Sequence, residues 1–174
     1  TMAMIDGAYF LDSDSGHRYK GWLPEGKLLG VRWINSKFKR AVLKIPKDGK
    51  PAAVLILDRL RASVKVYPDT TWAKYRIKVS VSGYLDELFD NLTIGEIEKL
   101  AANAIRNEIM ETYREGLEKK IDVLNLEAVL YRNAPEVWQR IKEKHDFGLG
   151  EDSIHSIDVR VTIKHTGKYK GKAK

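Results

Sequence analysis

The stretch from Thr93 to about Val123 constrains the rest of the chain more than any other. Thr93 is followed three residues later by Glu96, the reciprocal pairing that satisfies two orphan N–H groups at a helix start. Beyond it Ile97, Ala101, Ile105, Ile109, Tyr113, Leu117 and Ile121 recur every four residues, with Leu100 and Ala104 alongside. This spacing predicts one apolar stripe on a helix of roughly 30 residues, about 45 Å long at ~1.5 Å per residue. Glu98, Lys99, Arg106, Glu111, Arg114 and Glu118 fall on the opposite side, where solvation is the expected chemistry. A helix this long needs a broad surface for its stripe. Alternating segments on both sides of it in sequence supply one.

Before the helix, Gly7 to Leu11 predicts a short strand, Asp12 to Gly16 a turn, and His17 to Trp22 a returning strand. Pro24, Glu25 and Gly26 break the chain, and Leu28 to Ile34 reads as one or two helical turns. Phe38 to Ile45 alternates, and the Asp48-Gly49 pair that follows favours a tight hairpin. Ala53 to Leu57 forms the next strand, bent near Asp58-Arg59 and continued by Ala62, Val64 and Val66 to a turn at Pro68-Asp69. The strictest alternation sets Ala73, Tyr75, Ile77, Val79 and Val81 against Lys74, Arg76, Lys78, Ser80 and Ser82, as in an antiparallel sheet with one wet face. After the helix, Asn125 is expected to cap a short helix bearing Leu126, Val129 and Leu130. Asn133 with Glu136 should start another, with Val137, Trp138 and Ile141 inward. Ile157, Val159, Val161 and Ile163 make a last alternating strand. The order predicts a two-layer α+β domain, with a mainly antiparallel sheet of about 4–6 strands packed on one long helix and two shorter ones.

The chain of 174 residues suffices for one domain, and no apolar run in it approaches the ~18 residues that span a bilayer. It has no cysteine, which excludes disulfides and thiolate chemistry. The formal charge of +7 is uneven: residues 1–87 hold 16 Lys and Arg against 9 Asp and Glu, and residues 88–174 hold 15 against 15. His17, His145, His155 and His165 lack metal-ligand spacing, and no phosphate loop, nucleophile elbow or dinucleotide fingerprint occurs. We therefore expect no enzyme activity, no metal and no cofactor. Asp86 and Glu87 are adjacent on a strand and point to opposite faces. Asp122 reads as a cap or as the partner of a base. Gly21 and Gly30 fit turns or close packing, and Trp33 and Trp138, flanked by aliphatic residues, fit the core.

Lys65, Lys74, Arg76, Lys78, Arg160 and Lys164 should share the sheet face turned away from the helices. Such a face suits an anionic lipid surface or an acidic neighbour. Single-strand nucleic-acid binding is the alternative, although the face lacks the central aromatics on which bases stack.

Several motifs together resemble the Ger(x)C family. They are Asp6-Gly7-Ala8, Gly21-Trp22-Leu23, Gly30-Val31-Arg32-Trp33, the hairpin end Leu85-Asp86-Glu87-Leu88, Lys120-Ile121-Asp122-Val123-Leu124, the Tyr131 to Trp138 segment, and the close at His165-Thr166-Gly167. The family comprises the C subunits of spore germinant receptors, which are lipoproteins of several domains. The resemblance implies that residues 6–167 form the C-terminal domain of such a lipoprotein; by their own composition, residues 1–5 read as a remnant of cloning and residues 168–174 as a Lys/Gly tail. It implies a non-enzymatic subunit of a nutrient receptor with integral-membrane A and B subunits as partners. Its site would be the outer face of the spore inner membrane, held by a lipid anchor upstream of this fragment, with no nucleic acid involved. Within that reading Trp33, Lys37, Lys39 and Arg40 are the candidate partner-binding residues, an aromatic beside a basic cluster between two elements.

Overall fold

The computed structural model describes residues 6–11, 19–35, 37, 39–67, 72–145 and 147–164. The turns expected at 12–16 and 68–69, the closing motif 165–167, and the segments 1–5 and 168–174 read as a remnant and a tail lie outside them. Strands β1 (Gly7–Leu11) and β2 (Tyr19–Pro24) form an antiparallel hairpin of their own. Strands β3 (Ala41–Lys47), β4 (Lys50–Tyr67), β5 (Lys74–Leu88) and β6 (Ile154–Ile163) form a second sheet in that spatial order. Helices α1 (Ile94–Glu118), α2 (Leu126–Asn133) and α3 (Pro135–Lys144) lie between β5 and β6 in the chain. The α+β architecture expected from the sequence is the one observed. The β3–β4 and β4–β5 pairs are antiparallel, but β6 lies parallel to β5, because the intervening helices carry the chain back across the layer.

Local chemistry explains the elements. At the β3–β4 turn Asp48 and Gly49 both have positive φ, 52° and 76°, as a two-residue type I′ hairpin requires. The expected bend in β4 is a register shift between Leu57 and Arg59, within one strand of 18 residues. Tyr75, Ile77, Val79 and Val81 of β5 are buried against Ile97, Ala101, Ile105 and Ile109 of α1 in one continuous core.

The capping box at the start of α1 is complete: the Glu96 N–H donates to the Thr93 hydroxyl at 3.3 Å, and the Thr93 N–H donates to the Glu96 carboxylate at 2.8 Å. Thr93→Ala is expected to cost about 1 kcal/mol of stability, read as a lower urea midpoint at unchanged m-value.

Three helix boundaries differ from expectation. Helix α1 stops at Glu118 rather than running to Val123. Lys120 turns left-handed (φ 54°), so that its N–H reaches the Leu117 carbonyl and the Ile121 N–H reaches that of Gly116. Ile121 and Val123 then join Leu23 in a second apolar cluster beneath the hairpin. Asn125 does not cap α2 with its side chain; it sits in the left-handed region while Asp122 accepts from the Leu126 and Glu127 N–H groups at 2.9 and 2.7 Å. Helix α3 begins after Ala134 with Pro135 in its first turn, and Asn133 closes α2 by donating to the Val129 carbonyl.

Candidate functional site

The segment between β2 and β3 carries the sequence-based candidates, and it is clamped onto α1. Its two short 3₁₀ turns, Glu25–Lys27 and Leu29–Trp33, lie along the helix. Gly30 makes the approach possible, because a Cβ there would stand 2.6 Å from the Glu108 carbonyl oxygen and 2.7 Å from the Ile109 Cα. Its N–H donates to the buried Thr112 hydroxyl, which in turn donates to the Lys27 carbonyl. The Arg32 guanidinium donates to both Glu108 carboxylate oxygens at 2.9 Å, and the Trp33 indole N–H donates to one of them at 2.6 Å. Arg32 also lies 4.6 Å over the Trp33 ring.

Trp33 is fully buried. This removes it from the partner-binding set, because the ring that would anchor a partner is spent on the core. Glu108 is the residue that sequence reasoning missed. It flanks the apolar stripe beside Ile109, and a carboxylate there needs a buried partner. Two charges assigned to the solvated side of α1 are also engaged: Glu98 accepts from the Ile163 N–H and Arg106 donates to the Ile157 carbonyl, so both tie the helix to β6.

Lys37, Lys39 and Arg40 are exposed. Arg40 leads into β3, donates to the Tyr84 hydroxyl and lies over its ring. Val42 pairs with Ile56 and Ile56 with Tyr84, so these three form one row across β3, β4 and β5 on the face away from the helices. Val42 is 52% exposed, which gives this end of the face an apolar centre beside a basic rim.

Further along the same face the rows turn basic. Arg61, Ser80 and Arg160 form one row; Ser63, Lys78 and Asp158 the next; Lys65, Arg76 and Ser156 the third. All three helices pack on the other side. Lys65, Arg76, Lys78 and Arg160, grouped by alternation, therefore do share a face.

Elsewhere the polar groups hold the fold. Asp122 lines a cleft of about 640 Å³ beneath the hairpin, with Glu127, Phe10 and Trp138. Burial raises its pKa to about 6, against the pull of its two N–H donors. Glu127 accepts from the Gly148 N–H at 2.6 Å and faces Lys142 at 3.7 Å. Asp122 is thus the cap foreseen as one of its two roles. The Tyr75 hydroxyl is buried without a hydrogen-bond partner among the described residues, and burial pushes its pKa up. No group of three or more acids or histidines able to hold a metal occurs among the described residues. No helix there is long and apolar enough to cross a membrane.

A clamped segment, an open sheet face and structurally engaged acids characterise this α+β domain. The family described as spore germination B3/GerAC like, C-terminal, matches residues 7–167, and the chain belongs to it. The Ger(x)C resemblance drawn from the motifs is thereby borne out, and the chain is a C-terminal domain of a spore germination protein. It is 26% identical to spore germination protein KC of Bacillus subtilis (strain 168), over 95% of this chain and 40% of that protein. It shares the fold of a solved structure, the crystal structure of the GerBC protein, at a TM-score of 0.72 and 17% identity, over 92% of this chain and 51% of that one. The chain therefore spans between two fifths and about half of the length of these relatives.

Proposed function

We propose that this domain is a non-enzymatic part of a nutrient germinant receptor, acting by protein–protein contact at the surface of the spore inner membrane. The family match over residues 7–167 carries this reading. Residues 6–167 serve as the folded unit of a longer lipoprotein anchored upstream, and the integral-membrane A and B subunits are its partners. Contact is made through Lys37, Lys39 and Arg40 with the Val42–Tyr84 row beside them, where an apolar strip meets a basic rim. Charge reversal of all three (Lys37→Glu, Lys39→Glu, Arg40→Glu) in the full-length protein should lower co-purification of the A and B subunits at least ~10-fold, since like charges across an interface cost several kcal/mol. Nutrient-triggered germination should fall with it. Unchanged recovery and response would remove these residues from the interface.

The gene upstream of codon 6 tests the anchor. An export signal ending in a cysteine fits this reading, whereas an initiator methionine directly before Ile5 contradicts it. A second reading, single-strand nucleic-acid binding, draws on the basic rows of the same face, and the vesicle experiment below discriminates against it.

A further inference from the structure

We propose that the basic part of the open sheet face adsorbs flat onto an anionic lipid bilayer, with β4, β5 and β6 against the headgroups. The inference rests on the membrane-surface reading above and adds the orientation of the domain.

Sign and density carry it. Neighbouring strands lie ~4.8 Å apart, so Arg61 and Arg160, on either side of Ser80, stand about 10 Å from each other. That is close to the ~8 Å screening length at physiological salt, so their potentials add. Lys78 and Arg76 fill the rows beside them, and Asp158 is the one acid in the three rows. A field of like charge works against the compact state, and an external polyanion relieves that repulsion.

Protection of sheet edges accounts for only part of the pattern, since Arg61 and Lys65 lie on the half of β4 beyond its pairing with β3, and Arg160 on the edge strand β6. Lysines on an edge strand deter strand pairing, but Lys74, Arg76 and Lys78 belong to β5, which is flanked by β4 and β6. The edge strand β6 is guarded from within, by Glu98 on the Ile163 N–H and Arg106 on the Ile157 carbonyl. Of these charges, Lys74 donates to the Asp152 carbonyl and Arg76 to the Ser156 hydroxyl, which leaves Lys78 as the β5 charge with no such role among the described residues.

Shape then favours a lipid surface over a nucleic-acid strand. Single strands are bound by aromatic faces on which bases stack. The two tyrosines at the corners of this face already carry guanidinium groups, Arg76 at 5.8 Å from the Tyr67 centroid and Arg40 at 5.9 Å from that of Tyr84. The central rows contain only Arg, Lys, Ser and Asp. A plane of headgroups asks for breadth and positive charge, and a three-stranded basic field has both.

The test is co-sedimentation of the 174-residue chain with vesicles of phosphatidylcholine alone or containing phosphatidylglycerol. We expect binding to the phosphatidylglycerol vesicles only, weakening as salt rises. The triple variant Arg61→Ser, Lys78→Ser, Arg160→Ser should lower the partition coefficient on the order of 100-fold, at about fivefold per basic residue. A control, Lys99→Ser, Arg114→Ser, Lys119→Ser, removes the same charge from exposed positions on α1 and its C-cap and should lose far less. Thermal unfolding of both variants confirms that they fold. Equal losses in the two variants would overturn the proposal, since net charge alone would then explain binding. So would retention of a single-stranded oligonucleotide at salt where phosphatidylglycerol vesicles bind nothing. Lipid binding that vanishes while A and B subunit recovery persists separates this face from the Lys37–Arg40 contact.

Discussion

Glu108→Ala should lower the stability of the domain by about 3 kcal/mol, the low end for breaking a buried ion pair because both side chains keep some exposure. Two donor groups lose their acceptor at once: the Arg32 Nη2, which reaches both carboxylate oxygens, and the indole N–H of Trp33. The Arg32 Nε is already buried without a hydrogen-bond partner among the described residues, so this guanidinium has little reserve. An indole N–H with no exposed surface around it cannot turn to water instead. In a domain of this size the change is a drop of roughly 10 °C in Tm. Glu108→Gln keeps an acceptor for the indole and should lose about half as much. Urea unfolding followed by tryptophan fluorescence checks both variants. A loss under about 1 kcal/mol for Glu108→Ala would mean that apolar burial alone holds the 25–35 segment.

Asp122 should make stability rise on acidification. Burial lifts its folded pKa to about 6 from an ordinary 3.8, so the folded state binds a proton more tightly than the unfolded chain does. The fold then carries a penalty of about 3 kcal/mol when this group is ionised above pH 6, at about 1.4 kcal/mol per pH unit. The penalty is relieved between about pH 6 and pH 4. Asp90 and Glu96 work in the opposite sense. Their folded pKa values are lowered, chiefly by the Lys47 ammonium and by the Thr93 N–H respectively, so their contributions hold above the unfolded values and fade as pH falls through the folded ones. Asp122→Asn removes one titration and leaves these two. The wild-type chain should therefore gain stability over the Asn variant between pH 7 and pH 5, as measured by paired denaturant titrations. A constant difference across that range would show that the carboxyl titrates normally.

The layers were legible because their signals are periodic. The strict alternation of residues 73–82 and the four-residue recurrence from Ile97 to Tyr113 each name a buried face without reference to any other part of the chain. Helix ends were less legible, because they depend on which of several polar side chains wins one N–H. Asn125 lost to Asp122, and Glu136 lost its box to a proline. The partner set failed at Trp33 for a related reason. Its fate depends on Glu108, 75 residues away, and no local pattern links the two. The parallel placement of β6 was likewise hidden, since alternation names a face and not a direction.

That placement governs how the molecule assembles. Arg76 and Ser156 meet across 80 positions of chain, while β3, β4 and β5 follow one another with only a few residues between them. Ordering a loop of that length must precede any reward from the β5–β6 pairing, so the last strand docks late and limits the folding rate. On the ribosome the β3–β4–β5 meander and α1 emerge with one flank of β5 open and wait for β6 to cover it. Chains cut short before Ile154 would keep an uncovered strand, and these are the species a cell must clear before they pair with one another.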